Sequence, residues 1–107
     1  MERIPAYMNK GSKGPLVTLL QAFLCGVIVG SSDLVYDQEY GGVTAGLVNH
    51  FQVIFDIEAD GNFGPATRAH AKSAYGFDFE AAANSIPGET SFVQPDGKII
   101  VWRSPSS

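Results

Sequence analysis

Residues 56–67 read DIEADGNFGPAT, with Asp56, Glu58 and Asp60 alternating ahead of Gly61 and Phe63. That spelling opens like a calcium-binding loop. Such a loop also needs a carboxylate at its twelfth position, where one Glu supplies two of the oxygens around the ion. The twelfth residue here is Thr67, and the tenth is Pro65, which suits the start of a helix. The expectation is therefore a protein with no bound metal and no dependence on calcium.

A second copy of the motif gives the better reading. Residues 37–44 read DQEYGGVT and residues 60–67 read DGNFGPAT. Both are Asp-x-x-aromatic-Gly-x-x-Thr, and the acids at 56 and 58 have no full counterpart in the first copy. Each shared residue has a physical role. Asp37 and Asp60 can accept from the amide two residues on, closing a turn. Gly41 and Gly64 admit the chain to a helix, and Pro65 fills a first helical position. Thr44 and Thr67 then lie in the first turn, within reach of its free amides. Tyr40 and Phe63 should turn inward.

Helical periodicity surrounds these loops. Val17, Leu20 and Leu24, with Leu16, Leu19 and Phe23, recur at spacings of three and four after Gly14-Pro15. Leu47, Val48, Phe51 and Phe55 do the same after Thr44. Small residues Ala66, Ala69, Ala71 and Ala74 mark a third segment that stops at Gly76. The expected helices span 15–26, 44–56 and 65–75. Beyond them, Asp78 can cap a short turn through FEAAAN. The stretch SFVQPDGKIIVWR predicts antiparallel strands at 92–94 and 98–102 around Pro95-Asp96-Gly97.

These residues together resemble the peptidoglycan-binding-like domain, a three-helix module of cell-wall hydrolases. Gly11, Gly14-Pro15, Val17, Leu20-Gln21 and Leu24 follow its opening pattern. Asp37, Tyr40-Gly41, Thr44, Val48 and Phe51-Gln52 follow its middle, and Asp60-Gly61, Phe63-Gly64-Pro65 and Thr67 its close. The resemblance covers about residues 10–75. It departs at Gln38 and Asp56, where the family often has glycine, and at Leu47. It implies a small three-helix bundle, so that with the hairpin read from residues 92–102 the expected fold is mainly α with a C-terminal β-hairpin extension. Residues 1–76 would form the module and 77–107 an extension.

Composition narrows the function. The chain has 107 residues, 11 acidic and 7 basic, for a net charge of −4. That balance offers no basic face for nucleic acid and no polybasic segment for a membrane surface. The apolar run Phe23 to Val29 is too short to span a bilayer. No apolar leader core occurs in MERIPAYMNKGSKG, so synthesis in the cytoplasm without a signal peptide is expected. The single cysteine, Cys25, sits in an apolar run and reads as a buried thiol. His50 and His70 make too few ligands for zinc. No nucleophile elbow, HExxH, CxxC or phosphate loop is present, so the chain reads as a non-enzyme without cofactors.

Two functional readings remain. One is a non-catalytic module that holds peptidoglycan stem peptide or glycan at the bacterial cell wall. Tyr36, Tyr40, Asn62, Arg68 and Lys72 are its candidate ligand-binding residues, with Arg68 or Lys72 meeting stem-peptide carboxylates. The other is a structural or interaction protein of a phage virion, a capsid or tail component. Its candidate interface is Ile99, Ile100, Val101 and Trp102, through which self-association or contact with virion proteins would run. Gln21 and Gln52 are expected to tie helices to nearby loop backbone.

Overall fold

The computed structural model describes residues 4–28 and 36–106. Four helices and one hairpin follow in order: α1 Pro15–Val27, α2 Gly42–Ile54, α3 Pro65–Tyr75, α4 Phe79–Ala83, β1 Glu89–Val93 and β2 Ile99–Arg103. The fold is mainly α with a two-stranded antiparallel sheet at its C-terminal end. No helix among the described residues is long and apolar enough to cross a membrane.

Local sequence sets the helix ends. Gly14, Gly41 and Gly64 are the residues that precede α1, α2 and α3, and prolines open α1 and α3. Gly76, left-handed at φ 70°, closes α3. α2 begins two residues before Thr44 and stops at Ile54, because Asp56 turns left-handed at φ 54°. The amides of Asp56 and Ile57 then bond back to the carbonyls of Val53 and Gln52. Asp78 caps α4 by accepting from the Ala81 amide at 3.1 Å.

Asp56 and Gln38 (φ 63°) are the non-glycine residues with left-handed backbone among those described. They are the two positions at which the resemblance expects glycine. An L-residue pays about 1–2 kcal/mol there, and a short acid pays less than a glutamine. Gln38→Gly is therefore expected to raise stability by a few tenths to about 1 kcal/mol. A chemical-denaturation midpoint that drops instead would contradict this.

The core runs through every element. Leu16, Val17, Leu20 and Leu24 of α1 meet Val48 and Phe51 of α2, Ala71 of α3, and the loop rings Tyr40 and Phe63. Phe79, Ala83, Phe92 and Trp102 belong to the same cluster, so α4 and the hairpin help to build the core. Phe77 stacks on Phe23 with ring centroids 4.2 Å apart.

A strap over residues 7–13 stitches these parts together. Met8 exchanges backbone bonds with Phe63, and Gly11 and Ser12 bond to Tyr40. Lys13 exchanges bonds with Ser91 at 3.0 and 2.7 Å, which makes β1 an inner strand flanked by the strap and β2. The contact between α1 and β1 is close enough to require a glycine. A Cβ on Gly14 (φ 135°) would lie 2.6 Å from the Glu89 carbonyl oxygen.

The first hairpin strand is longer than expected and the second keeps its length one residue later, pairing Glu89↔Arg103 through Val93↔Ile99. Thr90 starts the pairing early because its hydroxyl accepts from the Leu16 amide at 3.2 Å, a contact far off in sequence.

Candidate functional site

Two glutamines key the repeated loops to the helices before them. Gln21 Nε2 lies 3.2 Å from Asp37 Oδ1, 3.0 Å from the Glu39 carbonyl and 3.1 Å from Thr44 Oγ1. Gln52 Nε2 repeats this with Asp60 Oδ1, the Asn62 carbonyl and Thr67 Oγ1 at 2.9, 2.9 and 3.0 Å. Two amide protons thus serve three acceptors in each loop. Asp37 and Asp60 also accept from the amides of Glu39 and Asn62, closing the turns as the sequence implied. The threonines differ from expectation. Their hydroxyls accept from the glutamines, which reach them first, rather than from the free amides of the helix turn.

The two keys are not equal. Gln52 Oε1 accepts from the Gly61 amide at 2.9 Å, while Gln21 Oε1 is buried with no partner among the described residues. Tyr40 joins the two loops by donating its hydroxyl to the Gly61 carbonyl. Burial pushes the Tyr40 phenol well above its ordinary range.

The Glu39 amide, and after it the Gln21 side chain, hold the Asp37 carboxyl below the usual carboxylate range. The Ala81 amide does the same for Asp78. Groups whose folded pKa is depressed stabilise the fold above their unfolded pKa, about 4, and lose that contribution as pH falls through the folded value. Stability should therefore decline as pH drops below about 4, and less steeply in Asp37→Asn. Urea midpoints across that acid range check this; equal slopes for both proteins would rule it out.

The candidate residues divide between places. Arg68 and Lys72 lie one turn apart on α3 and line one open groove of about 1020 Å³. Ile4, Ala6, Pro65, Phe77, Asp78 and Glu80 help to line it, and Tyr36, Tyr40 and Asn62 do not. Tyr40 is 2% exposed. Asn62 gives its backbone to the Gln52 key. Tyr36 is half-exposed and hydrogen-bonds the half-buried Cys25, a contact that raises the Tyr36 pKa.

Arg68 is the most constrained charge in the groove. Its guanidinium carbon sits 4.6 Å from the Phe79 ring centroid and 5.6 Å from that of Phe63. Nη2 donates to the Pro5 carbonyl at 2.8 Å, Nη1 lies 3.8 Å from Glu80, and Nε is buried without a partner among the described residues. Burial lowers its pKa to about 10, and Glu80 opposes the shift, so Arg68 remains a cation at neutral pH. Lys72 pairs with Asp78 at 3.5 Å in a solvated position. Cation and carboxylate thus alternate over an apolar floor. The sequence reading missed Phe77, Asp78, Phe79 and Glu80, although their alternation of ring and acid is a visible signal.

Among the described residues no three His, Cys, Asp or Glu side chains gather as a metal site. Asp60 Oδ1 is occupied by the turn amide and Gln52. Of the hairpin candidates, Trp102 is buried, while Ile99, Ile100 and Val101 are exposed at 62%, 36% and 55%. No family model matches the chain, and no curated protein matches it.

Proposed function

We propose that this chain is a non-catalytic, peptidoglycan-binding-like module that holds the stem peptide of bacterial cell walls. The observation that carries the reading is the groove under α3. Its cations, Arg68 and Lys72, suit the carboxylates of a stem peptide, and its acids, Asp78 and Glu80, suit an ammonium group on the same ligand. Support also comes from the keyed loops. The residues quoted for the resemblance, Gln21 with Asp37 and Thr44 and Gln52 with Asp60 and Thr67, act as two matched hydrogen-bond units.

Co-sedimentation with purified peptidoglycan tests the proposal. The protein should pellet with the walls, and Lys72→Gln should lower the bound fraction several-fold with little change in melting temperature, since Lys72 is largely solvated. A wild-type protein that stays in the supernatant with walls of every common stem chemistry would overturn it.

The second reading, a phage virion component that uses the same fold as a scaffold, is favoured by the apolar outer face of the hairpin at Ile99 and Val101. Capsid or tail genes beside this one would favour it; lysis genes would favour the first.

A further inference from the structure

The hairpin ends in an open edge whose unpaired backbone groups belong to the residues with the most exposed side chains. The Gln94 amide bonds to the Lys98 carbonyl at 2.8 Å, and the Ser104 amide to the Gly88 carbonyl at 3.0 Å. Antiparallel alternation then makes Phe92↔Ile100 and Thr90↔Trp102 the bonded pairs. The amides and carbonyls of Ile99, Val101 and Arg103 are therefore directed away from β1. No other strand among the described residues lies beyond them. The same residues include the most exposed apolar side chains of the strand, Ile99 at 62% and Val101 at 55%, against 36% for Ile100. Natural edges are usually blunted by proline, a bulge or an inward-pointing lysine. Residues 99–102 read Ile-Ile-Val-Trp and have none of these.

We propose that β2 pairs with β2 of a second copy of this chain, antiparallel about Val101, to give a continuous four-stranded sheet. The strand is chemically self-complementary in that register. Val101 meets its own copy, and Ile100 meets Trp102 of the other molecule on the inner face. Ile99 meets Arg103 on the outer face, where the arginine stem covers the isoleucine. Arg103 is already flanked by Glu89 across its own hairpin, so its charge is balanced. Lys98 falls opposite Ser104 and projects to the other face from Arg103, so no like charges are opposed. The interface is isologous and closes as a dimer. A single pair of five-residue edges buries less than the roughly 1,000 Å² expected of a tight complex, so association is concentration-dependent.

Analytical ultracentrifugation of the full chain from micromolar to millimolar concentration, with amide NMR over the same range, tests this. The expected result is a monomer–dimer equilibrium. Chemical-shift changes should concentrate at Ile99, Val101 and Arg103. Val101→Lys, which sets two like charges face to face, should weaken the dimer at least tenfold, and Ile99→Lys should weaken it too. Both residues are exposed, so the folded-state circular dichroism spectrum should persist. If one variant unfolds, the other carries the test, and the wild-type dilution series stands without either. A wild-type protein that is monomeric at millimolar concentration overturns the proposal, as does a dimer unaffected by a folded lysine variant.

Discussion

Phe63→Ala is expected to lower the stability by about 2–5 kcal/mol, the range for removing a large buried side chain. Two contacts explain why this ring matters more than its volume. It is 1% exposed and packs edge-on against Phe79 at 5.2 Å. It carries part of the Arg68 cation on its face. The variant would therefore loosen the groove as well as the core. Leu20→Ala, fully buried in α1, should fall in the same range without the groove effect. Thermal and urea unfolding check both; unchanged midpoints would mean that the core is misplaced.

Gln52→Leu should cost about 3 kcal/mol or more, a loss unusual for a side chain that binds nothing outside the fold. The replacement has nearly the same volume, so the cost is in orphaned partners. The Gly61 amide, the Thr67 hydroxyl and the Asn62 carbonyl all lose a bond in a buried or half-buried place. Each such group costs about 1–3 kcal/mol. Gln21→Leu should cost clearly less. Its Oε1 has no partner to lose, and two of its acceptors are on exposed residues. Denaturant unfolding of the pair measures the difference. Equal losses would show that the Gly61 bond contributes nothing.

Much of the local structure was legible because single residues dictate it. Gly14-Pro15, Gly64-Pro65 and Gly76 set helix ends, and the two aspartates set their turns. The start of α2 was placed two residues late, because Gly42 and Val43 carry no start signal of their own. The length of the hairpin was not legible, since it depends on Leu16 and Lys13 meeting Thr90 and Ser91. The groove was half legible. Arg68 and Lys72 stand out as cations on a helix, but only folding brings Phe77, Asp78, Phe79 and Glu80 opposite them. Which of residues 99–102 would be covered was not legible either, since Trp102 is buried opposite Thr90 while Ile99 and Val101 stay exposed.

The strap has a consequence for how the molecule is made. Ser12 bonds to Val93 across 81 residues, and Gln94 bonds to Tyr7 across 87. A nascent chain can form its helices early, since their contacts are local. It cannot join the strap to β1 until residues 89–93 have left the ribosome. Contacts of such long separation pay their loop-closure entropy late and slow the final step. Until then Leu16 and Gly14 wait with one side uncovered, and the unfinished chain is the form most open to proteases and to misassociation with its neighbours on the same message.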